Sequence, residues 1–342
     1  MTVHEFGHFI AARITGIDVM EFAIGFGPKL VGWKGKKGTD FSIRLIPMGG
    51  YCAFYGEDDA SGKTADDPRS YSRQNVWKRM FTVLMGPMMN FILAFVVVVA
   101  FYFFGGIAEV TGYEPFISEV AGAGPAYSAG LKDGDIIESV DGVNVLDGTT
   151  ETLLDAIAAY KEGDAPLQMV VRRGEGTFQT EMTPFWDEEL QRFRVGVTIG
   201  ARVLSQTRAC SFGEAVTEGW KWCVYASGTI VTALKNLVTT GEGLDQTAGP
   251  VGVVTMVSQE VQQYGFEAFV NLLVVISINL GIMNLLPIPG LDGSRILFNI
   301  VEAVRRKPIP AQKEAMIHLA GYALLIGLMI FFTFKDVMRL FQ

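Results

Sequence analysis

Histidine is almost absent from this chain. Three occur in 342 residues, at positions 4, 8 and 318, so any chemistry that needs two imidazoles close in sequence must use the first pair. Cysteine is as scarce: Cys52, Cys210 and Cys223 show no metal-ligand spacing, and an odd number argues against a disulfide framework, leaving at most a Cys210–Cys223 bond. No cleavable signal peptide is recognisable, because the residues begin directly on a histidine motif. Basic residues are outnumbered, 28 Lys and Arg against 36 Asp and Glu, and a net charge of −8 gives no reason to expect a nucleic-acid partner. What the chain has in excess is apolar surface: 49% hydrophobic residues and a mean hydropathy of +0.30, the balance of a membrane protein.

Three stretches carry that excess. Residues 80–104 are 25 without a charge, 268–291 are 24, and 315–334 are 20 interrupted only by His318. At about 1.5 Å of helical rise per residue, each can cross a hydrocarbon core of about 30 Å. The charges between them are sorted. Residues 105–265 hold 22 acids against 10 bases, whereas 13–79 hold 11 bases against 8 acids, and Arg305, Arg306 and Lys307 lie between the second and third stretches. The positive-inside rule then places 13–79 and 292–314 in the cytoplasm and 105–265 outside.

The histidine motif is VHEFGHFIAAR, 3–13. Four positions along an α-helix turn the chain by about 400°, so His4 and His8 emerge about 40° apart and about 6 Å along the axis, able to grip one ion. Glu5, beside His4, can reach a water on such an ion, taking its proton and passing it to a leaving amine. This is the H-E-x-x-H arrangement of zinc peptidases, and shuffling this composition would produce it on the order of once in a thousand chains. A catalytic zinc takes a third protein ligand and keeps a position for water. The candidate lies in SINLGIMNLLPIPGLDGSR, 277–295, where Pro287, Pro289 and Gly290 break an apolar helix and Asp292 follows the break. A carboxylate at that depth is costly and marks a site or a partner, and zinc is a strong partner; the competing reading of Asp292 is a cap for a helix starting at Ser294 and Arg295.

The remaining sequence reads as follows. Residues 18–55 alternate in short glycine-rich runs that predict strands and hairpins, some apolar enough to dip into the membrane surface, and 56–74 reads as a polar loop. In MGPMMNFILAF, Gly86 and Asn90 share a helix face, with helix packing and a site role equally open. Residues 115–185 predict a soluble module of strands with a turn at Asp141-Gly142 and a helix from Thr149 or Thr150 to Gly163. Helical periodicity spans 211–262, Trp220 and Trp222 suggest either an interfacial amphipathic helix or ordinary packing, and GPVGVV at 249–254 reads as a loop.

GPAYSAGLKDGDIIESVDG, 124–142, resembles a bacterial, permuted PDZ domain. Together with HEFGH, the GFGPKL…GGY region at 25–51, GPMMN at 86–90 and NLLPIPGLDG at 284–293, it makes the chain resemble, over nearly its whole length, the bacterial site-2 proteases of the RseP type. That resemblance implies a polytopic α-helical membrane protein with a membrane-associated β-hairpin region and an extracytoplasmic mixed α/β PDZ domain. The implied divisions are 1–17, the C-terminal part of a first transmembrane helix with the zinc motif; 18–79, a cytoplasmic-side β region and loop; and 80–104, a transmembrane helix. They continue with 110–186, the PDZ domain; 187–265, an extracytoplasmic linker with an amphipathic helix; and 268–291 and 315–334, two transmembrane helices. His4, His8 and Asp292 become the ligands of one Zn2+, Glu5 the catalytic residue, and Asn279 and Asn284 holders of the substrate backbone. In the family a further apolar run precedes the histidines, and only Met1 to Val3 do so here.

The implied activity is cleavage of another protein's transmembrane segment, by resemblance an anti-sigma factor already clipped outside the bilayer, in a bacterial inner membrane with the zinc site near the cytoplasmic face. The PDZ module would filter substrates by size or bind a peptide by strand addition. The edge of FSIRLIP, 41–47, is a candidate strand for pairing with the unwound substrate. A membrane-anchored PDZ scaffold with a vestigial zinc site is the alternative. A soluble zincin is opposed by the three apolar stretches and by the lack of a downstream H-x-x-G-x-x-H.

Overall fold

The computed structural model describes residues 1–57, 64, 67–122, 124–146, 154–155, 157, 159–188, 192–243, 249–307, 309 and 311–340. They fall into two compact units, Gly105–Cys210 and the remainder, Met1–Phe104 with Ser211–Gln342.

The larger unit begins with α1, Thr2–Thr15, which buries His4, Gly7, His8, Ala11 and Ala12 at the three-and-four spacing of a single helix face. It stops at Gly16, left-handed at φ 81°, whose N–H returns to Ala12 O. Two bent strands follow, β1 (Val19–Lys34) and β2 (Asp40–Phe54). Ala23 pairs with Tyr51 on one side and Ser42 on the other, and Trp33 pairs with Phe41, so the segments lie in the order 50–54, 19–24, 40–44, 29–34. This corrects one expectation. The FSIRLIP stretch is an interior segment, with Phe41, Ser42 and Ile43 each paired on both sides, and it has no free edge there for a substrate.

Helices make up the rest of this unit: α2 (Val76–Gly105), α4 (Phe212–Thr239), α5 (Pro250–Leu285), α6 (Asp292–Arg305) and α7 (Ala311–Leu340). Three of them, α2, α5 and α7, are long and apolar enough to cross a membrane. The stretch read as a loop at 249–254 is helical from Pro250, a residue suited to the first turn because its missing N–H needs no partner there. α5 then runs on through a kink at Gly265 (φ 69°, ψ −147°) and ends at Leu285, so the last six residues of the expected 268–291 span form a turn instead. α4 starts with a reciprocal Ser211–Glu214 capping box. It turns Trp222 into a cluster with Val98, Ala226, Val274 and Ile278, while Trp220 stays exposed. Cys52 and Cys223 are free thiols, so the Cys210–Cys223 bond is not formed.

Polar contacts tie the ends of these helices. Arg79 in α2 reaches Glu302 in α6 at 2.5 Å, and Arg295 pairs with Glu57, bringing the base-rich segments 13–79 and 292–314 to one end of the unit. At the other end of α7, the buried Asp336 accepts N–H bonds from Gly249 (3.1 Å) and Gly252 (2.7 Å) at the start of α5. A carboxylate suits the partial positive charge of that helix N-terminus.

The second unit is a sheet in the order β10–β3–β4–β6–β7: β3 is Ile107–Val120, β4 Ile136–Val140, β6 Leu167–Arg173, β7 Gly176–Met182 and β10 Val197–Arg208. A short β5, Val143–Asn144, pairs β4 across the Asp141-Gly142 turn, where both residues take positive φ as a tight hairpin requires. A short helix α3, Pro125–Ser128, packs Ala126 into a core of Ile117, Ile137, Val140, Leu167, Met169 and Val171. Two three-residue strands, β8 (Phe185–Asp187) and β9 (Arg192–Arg194), form a separate ribbon. β10 pairs with β3 along its whole length, from Val197 against Val120 to Arg208 against Ile107, so this module extends past the expected boundary at 186 to Cys210. The helix expected from Thr149 lies largely outside the described residues.

Candidate metal centre

α1 presents His4 and His8 inward, 4% and 7% exposed, and the 286–291 turn delivers Asp292 as the first residue of α6. Nearly three hundred positions apart in sequence, the three side chains meet. The two Nε2 atoms are 3.2 Å apart, and Asp292 Oδ2 lies 2.9 Å from that of His4 and 3.3 Å from that of His8. Among the described residues this is the one group of three His, Cys, Asp or Glu side chains whose ligand atoms converge.

The two rings can share a proton across the 3.2 Å between their Nε2 atoms, and it is the leftover carboxylate oxygen that points to a cation. His8 Nδ1 donates to the backbone carbonyl of Thr82 at 2.9 Å, so the neutral ring turns a bare lone pair on Nε2 towards the other two groups. Asp292 Oδ2, an acceptor, is buried and among the described residues has no properly directed hydrogen bond although both Nε2 atoms crowd it. Lone pairs facing each other at 3.3 Å repel unless positive charge lies among them. His4 is supported from its other side by Asn90, 3.3 Å from Nδ1. An amide nitrogen and oxygen are interchangeable by rotation, and the rotamer with Oδ1 towards His4 would accept Nδ1–H and free its Nε2 as well. Two imidazoles and a carboxylate form a donor set suited to zinc.

Glycine makes room for this arrangement. A Cβ on Gly86 in α2 would run into His8 Cε1 and Nε2 and stand 2.9 Å from His4 Nε2; a Cβ on Gly7 would strike Met85 O. Gly293, immediately after Asp292, lies against the carbonyls of Leu285 and Leu286, so no side chain fits there either. Glu5 lies outside the ligand group and is half-buried, and its Cγ is 3.6 Å from where a Cβ of Gly50 in β2 would be. The catalytic candidate therefore sits between the His4–His8 face of α1 and the hairpin sheet. Asn279 is exposed and Asn284 half-buried on α5, five positions or about 140° apart. Among the described residues neither side chain makes a hydrogen bond, and none links them to the cluster.

Thr82 and His318 were not singled out by the sequence. The Thr82 contact is through backbone and has no residue-type signature. Gly86 and Asn90 share a helix face in the sequence, with packing and a site role equally open there, and the structure places both against the imidazoles.

Residues 1–328, which contain every group just described, match the family described as Peptidase family M50. A protein named as a zinc metalloprotease from Agrobacterium fabrum is 33% identical over 360 aligned residues, covering 99% of this chain and 92% of that one. The regulator of sigma-W protease RasP from Bacillus subtilis is 31% identical, covering 99% and 95%. Among solved structures, the PDZ domain of the SdrC-like protein from Listeria monocytogenes is 23% identical over 27% of this chain and 92% of that chain, with a TM-score of 0.23.

Proposed function

This chain belongs to peptidase family M50, the site-2 protease family, and is a membrane zinc metalloprotease; on that premise we propose that it cleaves transmembrane segments of other proteins within the bilayer, at one zinc ion held by His4, His8 and Asp292. The observation that carries this reading is the meeting of two Nε2 atoms and one carboxylate oxygen between helices, with that oxygen buried and unbonded.

When bound, zinc supplies a Lewis acid that polarises a carbonyl and acidifies water. The chain's own residues do the rest. Thr82 O and Asn90 fix the two rings, so their Nε2 lone pairs stay aimed at one point. Glu5, outside the ligand group, takes a proton from the attacking water and returns it to the departing amide nitrogen. A substrate helix must first unwind, because its peptide groups are otherwise shielded by their own hydrogen bonds. Asn279 and Asn284 offer replacement amide partners to the opened backbone. Strand pairing with the substrate falls to the outer edge of 50–54, beside Glu5, since 41–43 is paired on both sides. The Gly105–Cys210 module would be a PDZ domain on the extracytoplasmic side that filters or binds substrates, and an anti-sigma factor is the substrate class that fits a relative named for sigma-W regulation.

The decisive experiment combines metal analysis with cleavage of a model transmembrane substrate in detergent or liposomes. Wild type should contain one zinc per chain and cut. Asp292→Asn should lose zinc and activity together, and Glu5→Gln should keep zinc and lose turnover. A Glu5→Gln chain that still cuts refutes the protease assignment of that residue, and a scaffold would keep its function in both variants.

A further inference from the structure

The third histidine has no part in the ligand group, yet it is 9% exposed on a helix that is otherwise almost wholly exposed. Among the described residues of α7 only His318, Gly321 and Asp336 are buried. Two of these three are polar, and each grips one end of α5: Asp336 holds the Gly249–Gly252 entry, and His318 contacts the turn at the exit. Gly290 donates its N–H to His318 Nδ1 at 3.1 Å. That bond completes the turn. Pro287 and Pro289 have no N–H, the amides of Leu286, Ile288 and Leu291 bond to Met283, Leu286 and Ile288, and Gly290 would be the one donor without a partner.

Three further contacts make the imidazole part of a clamp. Gly321 lies so close to Pro289 O that a Cβ would overlap it, and the Tyr322 ring stands 3.2–3.3 Å from where a Cβ of Gly290 would be. The Phe298 ring, on the helix that Asp292 begins, meets the His318 ring edge-on at 5.5 Å. His318 thus touches both the turn before Asp292 and the helix after it. Among the described residues its Nε2 is buried without a hydrogen-bond partner, the Glu314 carboxylate oxygen being 3.8 Å away. Burying an unbonded donor costs free energy, so a residue present only to fill space would be better served by leucine. The acceptor on Nδ1 is what leucine cannot supply.

We propose that His318 is a positioning residue for the metal centre: by accepting the Gly290 N–H it holds the 286–291 turn in the one conformation that aims Asp292 at His4 and His8. The proposal rests on the metal reading of that site. Three purified full-length chains in detergent test it: wild type, His318→Leu, which removes the acceptor, and His318→Asn, whose side-chain oxygen can stand in for Nδ1. Zinc affinity is read by chelator competition, and the ligand set by the visible spectrum of the cobalt-loaded protein.

His318→Leu should bind zinc about 10–100-fold more weakly and show an altered cobalt spectrum, while His318→Asn recovers most of both. Asp336→Leu, which loosens the far end of α7, should leave zinc affinity within about threefold, separating a local effect from general loosening of the helix. Zinc affinity of His318→Leu within about twofold of wild type overturns the proposal, as does a His318→Asn chain no better than His318→Leu. A wild type that binds no zinc instead removes the metal reading and the proposal together.

Discussion

Gly86→Ala is a small change with a large expected consequence. Gly86 sits inside α2 with helical backbone and no positive φ, so alanine is conformationally welcome there and should favour the helix by about 1 kcal/mol. The new methyl would overlap His8 Cε1 and Nε2 and stand 2.9 Å from His4 Nε2, where ordinary contact is about 3.5–4.0 Å. The rings must therefore give by more than about 0.5 Å. Zinc ligation tolerates only about 0.2 Å around its normal distances, so the rings cannot both yield and both remain ligands. Loss of one good ligand should exceed the 10–100-fold typical of outer-shell disruption, giving at least about 100-fold weaker zinc binding, or about 2.7 kcal/mol. The helix gain is too small to offset this, and it acts on folding rather than on the site. Chelator competition measures the affinity, and circular dichroism should show a chain as helical as wild type. Gly86→Ala binding zinc within threefold of wild type would refute the close fit of α2 against the two imidazoles.

Other outcomes follow from the same geometry. Glu5→Gln should retain zinc within a few-fold and lose about 10²–10⁴ in kcat, measured on a model transmembrane substrate. Asn90→Ala should weaken zinc binding by about 10-fold or more, and Asn90→Asp, which keeps an acceptor facing His4 Nδ1, less so; equal losses would place Asn90 in packing alone. In the Gly105–Cys210 module burial alone would raise the Asp135 carboxyl, but the Arg173 guanidinium at 2.7 and 2.8 Å and the Lys132 N–H hold it below the usual carboxylate range. A lowered folded-state value means stability that is present above about pH 4 and lost as pH falls below it, so protection of the β4 and β6 amides from hydrogen exchange should drop at acid pH. Arg173→Met should flatten that dependence. Cysteines introduced singly at Lys161 and Lys307 should be labelled from opposite sides of sealed vesicles, and labelling from the same side would refute the charge-based orientation.

What could be read from the sequence and what could not divide along range of interaction. The three apolar helices, the HEFGH face and the Asp141-Gly142 turn depend on neighbours within a few residues, and hydropathy, helical period and turn chemistry report such neighbours directly. The candidate ligands were legible for the same reason, as two histidines one turn apart and an acid just past a proline break. The failures are all non-local. GPVGVV looks like a loop because glycine and proline are locally weak helix formers, but Pro250 can start a helix and Asp336, from another helix, supplies its N-terminal partner. FSIRLIP alternates like an edge strand, and only the bend in β1, which brings 29–34 to its far side, fills that edge. β10 looks like linker because its partner residues in β3 lie about eighty to a hundred positions earlier.

The sequence by itself determined the membrane character, the helix face that carries His4 and His8 and the identity of the acid beyond the second break, because each is a property of a short window whose physics is periodicity, composition or backbone covalent constraint. Only the tertiary structure decided that Asp292 meets His4 and His8, that Gly86 leaves the space for the two rings, and that His318 accepts the Gly290 N–H in the turn before Asp292. A lone histidine in an apolar run and a glycine in a helix carry no local signal; what they do depends on which distant backbone atom folding brings within about 3 Å.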